Sequence, residues 1–242
     1  MSTDADQLSV GGFEVEVVRK PIKNLHLGVY PPHGRVRVAA PLEMSDEAVR
    51  LAVVTRLAWI KRQQAKFTAQ PRQSERRYIS GETHFFLGQR YRLNLIDGCK
   101  AGQVTVRNST TIDLYVRKDS DLAIRKRVFI NWYRQELRSR AQPLMERWAT
   151  EYGITPPIWG IKRMKTKWGT CNIEARRIWL NLELIKKPPQ CLEYVIVHEL
   201  AHFFERNHTK QFVALLDQML PQWRIVRDEL SAEPLAYEDW GS

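Results

Sequence analysis

The sequence has few cysteines: three in 242 residues, Cys99, Cys171 and Cys191, odd in number and far apart. That excludes a disulfide framework and zinc-finger spacing, and a reducing, cytoplasmic setting is the simplest expectation. No apolar run approaches the roughly 20 residues of a membrane span. The opening "MSTDADQLSV" carries acids and no apolar stretch, so it does not read as a secretory signal. There is no internal repeat, no low-complexity segment and no recognisable nucleic-acid motif. What remains is ordinary globular material, 43% hydrophobic with eight Trp and 27% charged, enough for a sizeable core.

The charge is unevenly spread. The chain carries +11 overall. Residues 50–92 hold ten Lys and Arg against Glu75 and Glu82, a local balance of +8, whereas residues 193–242 hold nine acids against four bases. The basic front half fits either an acidic partner such as nucleic acid or a solvated surface.

The pattern divides the chain near Lys118, into a β-rich region 1–118 and a region 119–242. In the first, "FEVEVVR", "LHLGVY" and "RVRVAAP" read as strands. "SDEAVRLAVVTRLAWIKRQQAKF" reads as one helix, capped by Ser45, with Val49, Val53, Leu57 and Ile60 inward. "THFFLGQRYRLNLID" reads as a hairpin turning near Gly88, and "QVTVRN" and "TIDLYVRK" as two further strands. In the second region a long helix is expected from Leu122 to Tyr152, kinked or split by Pro143. "WGIKRMKTKWGTC" and "RRIWLNLEL" read as two strands with a turn near Asn172 to Ala175. "PPQCLEYVIVHELAHFFER" is a strong helix, and a last helix follows Thr209 with Phe212, Leu215, Leu216 and Met219 on one side. The expected class is α+β.

The chemistry concentrates in "HELAHFFERNH", where three of the six His fall within eleven residues. On a helix His198 and His202 lie about 40° apart on one face, and Glu199 about 60° from His202. Val197, Leu200, Ala201 and Phe204 form the far, apolar side. This is the HExxH arrangement: two imidazoles for a zinc ion and a glutamate placed to take a proton from the attacking water. A catalytic zinc wants a third protein ligand, and His208 is the candidate. On a continued helix His208 would lie about 9 Å beyond His202, too far for bonds of about 2 Å. The helix must therefore stop, and Asn207, which tolerates the left-handed conformation, and Thr209, which can cap the next helix, supply the means. Helix-surface histidines, or a zinc site without catalysis, are the alternatives. The three His also share the spacing of the metzincin pattern HExxHxxGxxH, but Glu205 stands at its Gly and no Met-turn is evident, so that family is not assigned.

"KTKWGTC", "RIWLNLELIKKPP" and "YVIVHELAHFFERNHTKQF" together resemble the YgjP-like metallopeptidase-domain family, zincin-class proteins distantly similar to SprT-like proteases. The likeness spans residues 13–227 in layout, with its specific part at 165–212. Thr170 replaces the family's Ser after Trp-Gly. The resemblance implies a zincin-like α+β fold, a Zn2+ cofactor on His198, His202 and His208, Glu199 as the acid/base, and hydrolysis of peptide bonds in a peptide or protein substrate. A nucleic-acid-associated zinc hydrolase and a non-catalytic zinc module are the rival readings. Trp168, Cys171 and Tyr194 read as packing residues near that site, with a substrate-facing strand edge at Gly169 and an oxyanion role for Tyr194 as the functional alternatives. His26, His33 and His84 stand alone and carry no motif.

Overall fold

The computed structural model describes residues 5–30, 34–69, 76–98, 102–164 and 166–232. Cys99, Lys165, His33 and residues 70–75 of the basic stretch therefore lie outside the described residues. These fall into two compact units, 5–69 and 76–232, and the class is mixed α+β.

In the first unit, alternation decides the core. The strands β1 (Ala5–Val10), β2 (Phe13–Lys20), β3 (His26–Tyr30) and β4 (Arg35–Pro41) form a sheet of order β1-β2-β4-β3, with β2 and β4 parallel. Val15, Val17, Val36 and Val38 are wholly or almost wholly buried against Val49, Val53 and Ile60. Strand β1, not expected from the sequence, joins β2 through Gly11 and Gly12, both at positive φ, which glycine adopts without steric cost. The expected single helix is two, α1 (Asp46–Val54) and α2 (Leu57–Ala69). Ser45 caps α1 as read, accepting from Ala48 N at 3.3 Å. The break has a local cause: the Thr55 hydroxyl donates to Ala52 O at 3.0 Å, and Arg56 N reaches only Val53 O. A threonine bonding back to its own turn competes with helix continuation.

The second unit opens on the same topology. Strands β5 (Thr83–Phe86), β6 (Gln89–Asp97), β7 (Gln103–Val106) and β8 (Thr111–Val116) take the order β5-β6-β8-β7, again with the second and fourth parallel. The sequence shows no repeat, yet the strand order recurs. The β5–β6 hairpin turns on Leu87 and Gly88, both left-handed, as a two-residue turn requires. Helix α3 (Leu122–Glu151) then buries Phe129, Trp132, Tyr133, Leu137, Ala141, Met145 and Trp148. It runs unsplit through Pro143, contrary to one of the two outcomes expected: Pro143 is exposed, so solvent can serve the carbonyl that loses its donor.

A second sheet carries the chain toward the histidines. "WGIKRMKTKWGTC" is not one strand but two, β9 (Ile158–Lys162) and β10 (Gly169–Asn172), and β11 (Arg177–Asn181) lies between them in the order β10-β11-β9. A 3-10 turn, Leu182–Lys186, leads into α4 (Pro189–Ala201), where two prolines start the helix at positions that need no donor. Helices α5 (Lys210–Met219) and α6 (Trp223–Ala232) follow, the last not expected. No helix among the described residues is long and apolar enough to cross a membrane.

Candidate metal centre

Helix α4 is buried along Val195, Ile196, Val197, Leu200 and Ala201, and this burial fixes its rotation. His198 and Glu199 come from its last turn, and His202 is its C-cap. The helix therefore ends earlier than the sequence suggested. Phe203 N and Phe204 N reach back to Leu200 O and Ala201 O at 3.0 Å each, a tight turn that reverses the chain. Asn207 is not left-handed; its N–H is held by the Glu205 carboxylate at 3.1 Å, and its carbonyl accepts from Thr209 N at 2.7 Å. Phe204, expected on the buried side, is 54% exposed because that turn has already left the helix. Thr209 caps α5 as read, accepting from Phe212 N at 3.3 Å.

The result brings His208 back to the other two. One ring nitrogen from each of His198, His202 and His208 lies within 4.8 Å of the others, and the Nε2 atoms of His198 and His208 are 3.0 Å apart. Nitrogens about 2 Å from one tetrahedral ion would stand about 3.3 Å apart, so the cluster is of the right size. Its protonation also suits a metal. Burial and the neighbouring imidazoles push His198 down to about 3, and burial lowers His202 as well, so both are neutral donors near neutrality. The His202 Nδ1 faces the Glu205 carbonyl at 3.1 Å, which fixes the proton there and frees Nε2. Phe212, buried at the start of α5, is the common backing: its ring lies 4.7 Å from His202, 4.8 Å from His208 and 5.0 Å from His198. The residues fit a metal ion.

Glu199 points to the neighbouring strand. It is 5% exposed, and burial pushes its carboxyl up to about 8 against the opposing pull of Lys167. Gly169 on β10 makes room for it, since a Cβ there would stand 2.5 Å from Glu199 Oε1. Asn181, wholly buried, holds the approach to β10. Its Nδ2 donates to Met164 O at 2.9 Å and Lys167 O at 2.8 Å, its Oδ1 accepts from Met164 N and Glu183 N, and its own N–H reaches Trp168 O. Sequence reasoning passed over Asn181, for which an Asn inside an apolar strand was the signal, and read Phe212 only as one of the apolar positions of α5. An open groove of about 930 Å³ runs past Trp168, Gly169, His198, Glu199 and His208.

The other singled-out residues are placed as follows. Trp168 packs on the core under Lys187. Cys171 lines the groove with its thiol pushed up to about 11 by burial, which argues against a thiolate nucleophile. Tyr194 is 7% exposed and stacked on Trp223. His84 is buried beside Glu82 at 3.1 Å, and His26 is exposed.

The family described as YgjP-like, metallopeptidase domain, matches residues 23–233. None of the curated proteins matches the chain. Among the solved structures similar to part of this chain are two metallopeptidase zymogens. The metallopeptidase zymogen abylysin of Pyrococcus abyssi is 17% identical, with 40% of this chain and 99% of that one covered at a TM-score of 0.36. The metallopeptidase zymogen jannalysin of Methanocaldococcus jannaschii is 20% identical, with 38% and 94% covered at 0.35.

Proposed function

The chain belongs to the YgjP-like metallopeptidase-domain family, and from that premise we propose that it is a zinc-dependent peptidase of zincin-like build, its chemistry carried within residues 119–242. His198, His202 and His208 hold the ion, and Glu199 is the general base. The observation that carries this is the convergence of three imidazoles in one groove with a buried glutamate. Bound zinc would supply Lewis-acid polarisation of the scissile carbonyl and acidify water to a pKa of about 7.

The protein's own part is proton handling and placement. Burial alone keeps Glu199 largely protonated near neutrality, and the positive charge of a bound ion would draw it into the carboxylate form; in that form it takes the proton of the attacking water as the new C–O bond forms. It returns that proton to the leaving amine as the C–N bond breaks. Gly169 leaves space for the carboxylate, and Asn181 fixes the chain on either side of Lys167, so Glu199 has one position to work from. A zinc module without catalysis would have no use for a carboxylate buried at this cost. Association with nucleic acid rests on the balance of +8 over residues 50–92 alone and is a secondary proposal, read by whether duplex binding falls with salt. The cytoplasm, where Cys171 and Cys191 stay reduced, is the proposed setting.

Elemental analysis tests the ligand set. The wild-type protein is expected to carry about one zinc, and His208→Ala to lose most of it. Equal zinc in both would remove His208 from the site.

A further inference from the structure

The groove that holds the imidazoles is lined by apolar side chains as well. Phe204 is 54% exposed there, Phe203 is half-buried, and Ile173 comes in from the β10–β11 turn. An exposed phenylalanine in solvent gains nothing by itself, and one lining a groove next to three imidazoles marks a contact surface. The turn that brings Ile173 is under strain. Arg176 sits at φ 45, a left-handed conformation unfavourable for a side chain of that kind, with its N–H held by Ile173 O at 3.2 Å. The guanidinium of Arg176 is held by two contacts. Its Cζ lies 5.1 Å from the centre of the Phe203 ring, while Nη2 donates to Thr155 O at 2.6 Å. Phe203 is thereby held between its own turn and Arg176. At the rim, Glu174 and Arg206 are exposed and of opposite sign.

We propose that Ile173, Phe203 and Phe204 form a specificity subsite for a bulky apolar side chain, aromatic or large aliphatic, on the substrate residue flanking the scissile bond, with Arg176 as the residue that positions Phe203. This rests on the peptidase reading of the metal site, because continuity with His202 in one groove is what makes the occupant a substrate side chain. A small or charged side chain would leave Phe204 in water and gain nothing from the wall. A phenylalanine or leucine covers it.

The test needs no turnover. Zinc-loaded full-length protein is titrated by calorimetry with N-acetylphenylalanine hydroxamate and with N-acetylglycine hydroxamate, probes that share the metal-binding group and differ in the side chain. The phenylalanine probe should bind about tenfold tighter or better, the scale at which an apolar pocket discriminates. Phe204→Ser, at an exposed position where folding is not at stake, should cut that ratio to about threefold or less while glycine-probe affinity stays within about twofold. Ile173→Ser should act in the same direction. Equal affinity for both probes in the wild type, or a ratio undiminished in both variants, overturns the subsite and leaves the peptidase reading standing. Binding of neither probe to the zinc-loaded protein sinks the peptidase reading and the subsite with it.

Discussion

Replacing Gly169 with alanine adds one methyl group against the proposed base. Its Cβ would meet Glu199 Oε1 at 2.5 Å, Cγ at 2.7 Å and Cδ at 2.8 Å, where ordinary contact starts at 3.4 Å. Either the carboxylate or strand β10 must give way by roughly 0.9 Å, the difference between those distances. The carboxylate has little freedom, since Glu199 is 5% exposed and its Cγ is as crowded as its tip. Gly169 is not at positive φ, so the backbone accepts alanine and the effect is on the neighbour alone. A misplacement of about 1 Å at a reacting group costs on the order of a hundredfold. The Gly169→Ala protein should therefore hold as much zinc as wild type and cleave a fluorogenic casein substrate about a hundred times more slowly. Overpacking should also cost about 1–3 kcal/mol of stability, a modest drop in Tm. Activity within about threefold of wild type at matched zinc would refute the reasoning that the contact between Gly169 and Glu199 sets the position of the base.

Two other perturbations follow from buried polar groups. Asn181→Ala removes a wholly buried side chain that serves the backbone of Met164, Lys167 and Glu183, the last of them buried, so urea denaturation should show a loss of roughly 1–3 kcal/mol; no measurable loss would mean that the approach to β10 is held by other contacts. Burial holds His84 down to about 4 in the folded chain, whereas the unfolded chain takes up its proton near 6.5. Stability conferred by the neutral form is thus present above 6.5 and lost as pH falls toward 4, by about 2 kcal/mol between pH 7 and pH 5. His84→Gln should flatten that decline in urea titrations, and an unchanged slope would show that His84 is not its source.

What was legible in the sequence was what short-range pattern determines. The alternation of "FEVEVVR" gave a strand, Ser45 and Thr209 gave caps, and the three-His spacing demanded a chain reversal that the structure makes. How the chain reverses was not legible. Asn207 was the obvious residue for the stop, but the turn at Phe203 and Phe204 comes first, driven by carbonyls of Leu200 and Ala201 that no sequence pattern advertises. Parallel pairing was hidden for a related reason. Strand β9 pairs directly with β11 although β10 comes between them in the sequence, and such non-local partners leave no mark on either segment. Two signals were present and unread: Gly11-Gly12, the hairpin turn that adds β1, and the apolar positions of α6, where Trp223 and Leu230 are buried. The companions of the site, Phe212 under the imidazoles and Asn181 beside β10, become visible only once the elements that carry them are assembled.

The base assignment stands or falls on Glu199→Gln. The change keeps the shape of the side chain and removes its ability to accept a proton, while the three imidazoles are untouched. Wild-type and Glu199→Gln proteins, loaded to the same zinc content by elemental analysis, are compared for hydrolysis of one peptide library. Equal zinc, similar melting and a fall in cleavage of roughly two to four orders of magnitude are expected, the usual share of general acid–base catalysis. A Glu199→Gln protein that cleaves at a near wild-type rate would contradict the account, even if the three histidines were shown to bind the metal.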